Sequence, residues 1–174
     1  ILTSSDGTTW TSKTSGTSKD LWGVTYGNST WVTNGDNGSI FTSSDGTSWD
    51  NRTSGTTKNL NGVTYGNSTF VTVGESGTIR TSSDGTTWNN ATSPTSKRLL
   101  GVIYANSIFV AVGRHGTILT SSNGTTWTSR TSGTSKRFQG ITYGNDTFVA
   151  AGVDGTILTS SDGITWTTRT SDTT

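Results

Sequence analysis

The stretch TSSDGTTW, residues 3–10, recurs four more times along the chain with little change. Each copy follows the previous one by 39 residues without any insertion, and the Trp that ends each copy keeps the same step. The acidic or amide position of the motif falls at Asp6, Asp45, Asp84, Asn123 and Asp162. A fixed period of this length indicates a repeat architecture, in which each repeat is one small unit that packs on the next.

Four short strands are predicted in each repeat. In the first complete copy, strand A is GVTYG (23–27), strand B is TWVTNG (30–35), strand C spans 39–43 and strand D runs from 47 to about 54. Asn28-Ser29, Asp36-Asn37 and Asp45-Gly46 provide the turns between them. Short strands joined by tight turns form antiparallel meanders. The sequence therefore predicts an all-β fold, a β-propeller of four-stranded antiparallel blades, with a β-solenoid as the alternative.

The repeats do not divide the chain into whole blades. Complete repeats span 19–57, 58–96, 97–135 and 136–174, whereas residues 1–18 form one C–D hairpin without strands A and B. Three arrangements are consistent with this count: a longer array, a unit completed by another copy, or four blades that close while the hairpin packs elsewhere. Because an unpaired strand edge favours association, we expect self-association or continuation in a longer repeat array.

Bulk composition excludes several classes of protein. The 174 residues carry a formal net charge of +1 and contain no Cys. A near-neutral chain has no broad field to attract nucleic acid, and a chain without thiols has neither disulfides nor thiolate metal sites. No apolar run is long enough for membrane insertion. We expect no metal, no cofactor, no nucleic-acid partner and no membrane insertion.

The motif SSDGTSW, residues 43–49, resembles the Asp-box of sialidase-like propellers, and the array is similar to the repeats of photosystem II assembly-factor-type propellers. The Asp-box pattern is Ser-x-Asp-x-Gly-x-x-Trp, so this chain has a shortened form that lacks the residue between Asp and Gly. The resemblance implies a propeller with the motif at the turn between strands C and D. An Asp carboxylate at a turn accepts hydrogen bonds from backbone N–H groups. Because Asn123 can make the same turn, we interpret the five motif positions as structural.

The two ends of the predicted blades differ in sequence variation. The A–B and C–D turns lie at one end and are nearly constant, whereas the B–C loops and D–A connections lie at the other end and vary. We predict that the variable end is a binding face for a glycan or a protein, although drift on solvated loops explains the same variation. The candidate ligand-binding residues are Asp20, Trp22, Asp36, Asn37, Asn61, Glu75, Arg98, Arg114, His115, Arg137, Gln139 and Asp154.

Four lysines recur just before the variable D–A residues, at Lys19, Lys58, Lys97 and Lys136. Two interpretations are open. The lysines could together bind an anion, or each could be a solvated charge at a blade edge that discourages aggregation.

Sialidase activity is the enzymatic alternative that the Asp-box resemblance raises. Sialidase-like enzymes carry an arginine triad, a Tyr nucleophile with a Glu partner, and an acidic acid/base group. This chain has a single Glu, Glu75, and its arginines are scattered. Its four Tyr residues occupy one repeated position, as core residues do: Tyr26, Tyr65, Tyr104 and Tyr143. We therefore assign no catalytic residue and predict that the chain is not an enzyme.

A non-catalytic binding module is the function that the sequence favours, with a purely structural scaffold or filament component as the alternative. Seven Asn-x-Ser/Thr sequons and the absence of thiols fit a protein outside the cell or on its surface. The sequons are at Asn28, Asn37, Asn51, Asn67, Asn90, Asn123 and Asn145.

Overall fold

The computed structural model describes residues 1–171, all as β-strands, single 3₁₀ turns and loops. A two-stranded hairpin comes first, formed by Leu2–Thr3 (β1) and Thr11–Ser12 (β2). Four four-stranded sheets follow: β3–β6 (Leu21–Gly27, Thr30–Gly35, Ile40–Ser43, Asp50–Arg52), β7–β10 (Leu60–Gly66, Thr69–Gly74, Ile79–Ser82, Asn89–Asn90), β11–β14 (Leu99–Ala105, Ile108–Gly113, Ile118–Ser121, Thr128–Arg130) and β15–β18 (Phe138–Gly144, Thr147–Gly152, Ile157–Ser160, Thr167–Arg169).

Each sheet is an antiparallel meander built from one repeat. Strands pair in chain order, so that β3 lies beside β4, β4 beside β5 and β5 beside β6. Apart from one isolated bridge between Thr92 and Thr126, the described ladders stay within a sheet. A solenoid would instead join strands of successive repeats into continuous sheets. The β-propeller prediction is confirmed, and the solenoid alternative is wrong. The last predicted repeat ends at 174, so its final residues lie outside the described part of the chain.

The strand boundaries differ from those predicted. Strand A begins two residues earlier, at Leu21, with a bulge between Leu21 and Gly23. Residues Asp36–Gly38 form a single 3₁₀ turn, so strand C begins only at Ile40. The turn between strands C and D, which we call the motif turn, extends to Trp49, so strand D is limited to Asp50–Arg52. Side-chain hydrogen bonds of the turn therefore replace ladder pairing at the ends of strands C and D.

The motif turn is held by a small hydrogen-bond network. In the second complete repeat, the backbone N–H groups of Thr86 and Thr87 each donate to Asp84 Oδ1 at 2.8 Å, and Ser82 Oγ donates to the same oxygen at 2.9 Å. Trp88 Nε1 donates to the Gly85 carbonyl at 2.9 Å. Asn123 accepts the equivalent backbone bonds at 2.9 and 3.0 Å through its amide oxygen. The turn therefore requires an acceptor, and a charge is optional.

The same hydrogen bonds make these aspartates more acidic. Backbone N–H donation, first from Thr87, holds the pKa of Asp84 well below its ordinary value. Donation from the Thr165 and Ile164 N–H groups lowers the pKa of Asp162 from 3.8 to about 2. A carboxylate with a lowered folded-state pKa stabilises the fold above its unfolded pKa, and this contribution is lost as the pH falls towards the folded pKa.

We therefore expect an acid-dependent loss of stability. The free energy of unfolding should be nearly constant above about pH 5. It should fall between about pH 3.8 and pH 2, the interval between the ordinary pKa of Asp162 and its lowered pKa in the fold. Asp84→Asn combined with Asp162→Asn should reduce this slope, because Asn123 already shows that an amide closes the turn. Urea unfolding measured across this pH range checks the prediction. An unchanged slope in the double variant would contradict it.

Blades pack through their first strands and through an aromatic layer. Neighbouring A strands contact each other, β3 with β7, β7 with β11 and β11 with β15. Trp88 packs on Phe70 of its own blade, with ring centroids 6.5 Å apart, and joins a buried cluster with Val32 and Ile40 of the preceding blade. Each central sheet is thus covered on both faces, which buries Val, Ile and Phe side chains that a lone meander would expose.

The array is open at both ends. Trp10 belongs to the incomplete first unit and is 57% exposed, whereas Trp88 at the same repeat position is 8% exposed. Trp10 is exposed because the first hairpin has no strands A and B of its own within the described residues. Within residues 1–171, the first and last complete sheets do not pack on each other in the way that neighbouring sheets do. Closure of four blades into a ring within one chain is therefore wrong.

Candidate functional site

Hydrogen bonds define the two ends of the blades. At one end, the first B–C residue of each blade donates its backbone N–H to the carbonyl of the D–A connection at 2.9–3.0 Å, as Asp36 does to Asp20. We call this end, formed by residues 19–22 and 36–38 and their three repeats, the loop rim. At the opposite end, Asn67 Nδ2 donates to the Ser122 carbonyl in the motif turn of the next blade at 3.3 Å. The variable positions therefore share one end, the loop rim.

The loop rim has a constant backbone and varied side chains. The second B–C residue is in the left-handed region in all four blades, with φ between 53° and 56°. Four different side chains occupy this position: Asn37, Ser76, His115 and Asp154. In each 3₁₀ turn, the N–H of the residue that follows the turn donates to the carbonyl of the turn's first residue, as Ser39 does to Asp36. This bond fixes the turn at the start of strand C. The rim thus holds different chemical groups in equivalent positions.

Several predicted site residues brace the rim. Trp22 Nε1 donates to Asp36 Oδ1 at 2.9 Å. Arg98 donates to Asn61 Oδ1 at 2.7 Å and lies 3.4 Å from the Glu75 carboxylate, which links the second blade to the third. Asp154 accepts from Lys136 Nζ at 2.6 Å. Sequence reasoning grouped these residues as ligand contacts, whereas the structure gives each of them a protein partner.

Other predicted site residues keep their side chains exposed. Asp20, Asn37, Arg114, His115 and Gln139 are exposed on the rim. Arg137 is half-buried, and its Nε atom has no hydrogen-bond partner among the described residues. The 3₁₀ turn that carries Arg114 and His115 contacts β15, which contains Gln139. The exposed basic and amide groups of the third and fourth blades therefore lie along one stretch of the rim.

A polar groove of about 590 Å³ lies at the loop rim of the first complete blade. Sequence reasoning included Asn37 as a site residue and considered Lys19 and Lys58 as an anion site, but it missed Asn51, Arg52 and the loop 53–57. The segment RTSGT (52–56) recurs unchanged at 130–134 and with one or two substitutions in the other repeats, a pattern that indicates structure. The groove contains three cations and no carboxylate; its lining side chains include Lys19, Asn37, Asn51, Arg52 and Lys58.

A larger cleft of about 780 Å³ lies between the first hairpin and the first complete sheet. Its wall is aromatic and includes Trp10, Trp22, Val24 and Trp31. Trp22 therefore belongs both to the loop rim, through Asp36, and to this cleft. The cleft can be inferred from the sequence. Residues 1–18 provide only a C–D hairpin, and strands A and B of the same blade would fill the space that the cleft occupies.

Residues 1–171 contain no group of three His, Cys, Asp or Glu side chains that could hold a metal ion. Within the same residues, no helix has the length and apolarity needed to cross a membrane.

The family described as the DUF6242 beta propeller domain matches residues 24–138. This chain belongs to that family. No curated protein matches it by sequence.

Solved structures with low sequence identity share the fold. YCF48 bound to D1 peptide is 16% identical, with a TM-score of 0.70 over 90% of this chain and 55% of that one. YCF48 from Cyanidioschyzon merolae is 18% identical, with a TM-score of 0.69 over 90% and 58%. The chain thus spans little more than half of these neighbours. A GH74 enzyme from Niastella koreensis is 21% identical, with a TM-score of 0.63 over 85% and 24%.

Proposed function

We propose that this chain is a non-catalytic module that binds an acidic, extended peptide segment of a partner protein at its loop rim. The observation that carries the proposal is the rim groove, which has three cations and no carboxylate in its lining. Its volume, about 590 Å³, lies in the range of sites that hold small ligands or short peptide segments.

The free positive charge in the groove comes from two lysines. Arg52 is paired with Asp50 at 3.0 Å, which leaves it partly neutralised. Lys19 and Lys58 are exposed, and within residues 1–171 neither ammonium group has an ion-pair partner. Ammonium groups that lack a protein partner are available to a ligand carboxylate, which would form charge-assisted hydrogen bonds with them.

Groups beside the groove suit a peptide backbone. The Asn37 side chain is exposed, while its backbone N–H is held by Asn59 Oδ1 at 2.8 Å, so the groove wall is fixed. An amide donates and accepts at once, which matches the alternating N–H and C=O groups of an extended chain. A rigid scaffold with varied exposed groups is also typical of repeat proteins that bind other proteins.

The fold comparison supports a peptide ligand. A structural neighbour is described as bound to D1 peptide, so this type of array can present a peptide-binding surface. That neighbour supports a peptide ligand through its fold alone. The acidic character of the proposed segment follows from the cations that line the groove of this chain.

A glycan is the second candidate ligand because of Trp22. Its indole is 57% exposed, and its Nε1 is tied to Asp36, which holds the ring beside a carboxylate. An exposed ring beside a hydrogen-bonding acid can stack on a sugar face. Placement of the protein outside the cell stays a prediction.

The non-catalytic part of the proposal is supported by the state of the candidate catalytic groups. Glu75 pairs with Arg98, and the Asp-box carboxylates are engaged by turn N–H groups. Desolvation, followed by the Asp146 charge, raises the pKa of Tyr143, which opposes a nucleophilic role. Turnover of a fluorogenic sialoside would contradict this part.

The binding proposal is tested with a fluorescein-labelled Glu/Ser peptide. Fluorescence anisotropy should show saturable binding that weakens as salt rises, because the contacts are exposed ion pairs. Lys19→Ala combined with Lys58→Ala should weaken binding by roughly tenfold or more. Asn37→Gly should weaken it less, since Gly tolerates the left-handed backbone there and only the amide is removed.

Lys13→Ala combined with Lys97→Ala is the matched control, because it also removes two positive charges and both lie outside the groove. This variant should bind the Glu/Ser peptide as the unmodified chain does. Equal loss in the two double-lysine variants would show nonspecific charge attraction and overturn the groove assignment. Binding of a neutral glycan panel without peptide binding, lost on Trp22→Ala, would favour the glycan instead.

A further inference from the structure

The internal interfaces between blades follow one pattern. Val and Tyr of one A strand pack on the glycines of the preceding A strand. A side chain at Gly23 would come within 3.3 Å of Val63, and one at Gly27 would overlap the ring of Tyr65. A side chain at Gly66 would likewise overlap the ring of Tyr104. The first two interfaces therefore pair a projecting Tyr with a position where glycine leaves room for it, and at the third interface the equivalent position is Ala105, which packs in one cluster with Tyr143.

The N-terminal face of the array presents the projecting half of this interface without a partner. Val24 is 60% exposed and Tyr26 is 52% exposed, although they are equivalent to Val63 and Tyr65. Trp31 packs against Tyr26 with ring centroids 4.7 Å apart and adds to the same apolar face. The three residues form an apolar patch, and two of them, Val24 and Trp31, also line the 780 Å³ cleft. We call this patch the Tyr face.

The C-terminal face presents the receiving half. Gly140 and Gly144 are equivalent to Gly23 and Gly27, and no atom lies within 4 Å of the position that a Cβ would take at either residue. The strand around them reads GITYGN, against GVTYGN in the first complete blade. We call this surface the Gly face. It has the backbone shape that receives Tyr65 and Tyr104 elsewhere in the molecule.

We propose that the Tyr face of one copy binds the Gly face of a second copy, so that the blade array continues from chain to chain. The occupant is a second copy because each face carries the residues that meet its counterpart at the internal interfaces. The contact is heterologous, with different surfaces on the two partners, and it forms a ring if the rotation closes or a longer chain of copies if it does not.

The first hairpin must give way for this contact. The last sheet of the second copy brings all four of its strands, and its outer strands β17 and β18 would need the space that β1 and β2 occupy. Within the described residues, no hydrogen bond joins residues 1–13 to residues 20–171. Displacing the hairpin therefore breaks no polar contact of the body of the array. The proposal does not depend on the loop-rim groove, which lies on different residues.

The test is sedimentation velocity of the full 174-residue chain over micromolar to millimolar concentrations. The unmodified chain should show species of at least twice 18.2 kDa. Tyr26→Asp disables the Tyr face, and Gly144→Val fills the Gly face. Each should weaken association by at least tenfold. An equimolar mixture of the two variants should recover a dimer, since each retains one intact face, whereas a chain with both changes should stay monomeric.

Stability controls separate association from folding. Gly144→Val should keep the thermal midpoint of the monomer, because the added side chain meets open space, whereas Gly66→Val should lower it. If Gly144→Val misfolds, Gly140→Val replaces it. A monomeric unmodified chain at every concentration would overturn the proposal. Association that is lost in Tyr26→Asp but kept in Gly144→Val and Gly140→Val would also overturn the proposal, because that result indicates pairing of two Tyr faces.

Discussion

Replacing Trp88 with Ala should lower the free energy of unfolding by about 3–5 kcal/mol. The indole is 8% exposed, packs on Phe70 and completes the cluster that joins the first two complete blades. The substitution leaves a cavity between two sheets, and the thin meanders on either side can collapse into it only in part. Urea unfolding followed by tryptophan fluorescence, with circular dichroism as a second probe, measures the change.

Trp10→Ala is the matched control because Trp10 occupies the same repeat position. Its indole is 57% exposed, and its unit lacks the two inner strands that cover Trp88 in the second complete blade. The change should stay within about 0.5 kcal/mol. Equal costs at the two positions would show that the motif Trp acts within its own hairpin, and would contradict packing between blades as the source of stability.

Gly77→Ala should destabilise the chain by about 3 kcal/mol or more. Gly77 has φ of +69°, and a Cβ there would overlap the carbonyl oxygen of Thr95. Neither the Cβ of residue 77 nor the Thr95 carbonyl oxygen can turn away by a side-chain rotation. The overlap can be removed only if the B–C loop moves relative to the D–A connection. Glycine occupies the equivalent position in all four complete blades. Thermal unfolding and urea unfolding of the variant check the prediction.

Gly133→Ala separates the close approach from the backbone angle. Gly133 has φ of +71°, almost the angle of Gly77, but no atom lies within 4 Å of its Cβ position. This substitution should cost only about 1 kcal/mol, the penalty of placing Ala in the left-handed region. Costs of similar size at the two glycines would mean that the loop rim is not held by the approach of two backbones.

The period of the sequence was sufficient to predict the sheets. TSSDGTTW places a turn every 39 residues, and the alternation around Val24 and Tyr26 marks strand A. Strand ends were less accessible because the Ser82 and Asp84 side chains take over the hydrogen bonds that a longer strand C and strand D would make. Local side-chain bonding of this kind competes with ladder pairing and leaves no periodic signal.

The candidate site was predicted only in outline. Sequence variation located the loop rim. It could not show that Arg98 donates a hydrogen bond to Asn61 and forms an ion pair with Glu75, since these residues are far apart in the chain. It also passed over Arg52, whose surroundings repeat from blade to blade. Contacts between blades depend on how sheets stack, and stacking is invisible to a residue-by-residue comparison of repeats.

Stability and recognition are separated in this architecture. The turn end is nearly constant because its Asp accepts backbone N–H groups of its own turn, as Asp84 does from Thr86, and its Asn donates to a backbone carbonyl of the next blade, as Asn67 does to Ser122. The loop rim keeps its backbone through Gly77 and its equivalents, so its exposed side chains can vary without cost to the core. Substitution at exposed rim positions such as Asn37 should therefore leave the fold unchanged.

Native-state amide hydrogen exchange tests the central claim, that each blade is stabilised by the neighbours that cover its two faces. Strands Thr69–Gly74 and Ile108–Gly113, which lie in sheets covered on both sides, should be the most protected. Leu2–Thr3 and Thr11–Ser12 form the first hairpin, which is not covered by sheets on both faces. Their amide hydrogens should exchange fastest among the strands. Equal protection of the first hairpin and the central sheets would contradict the claim.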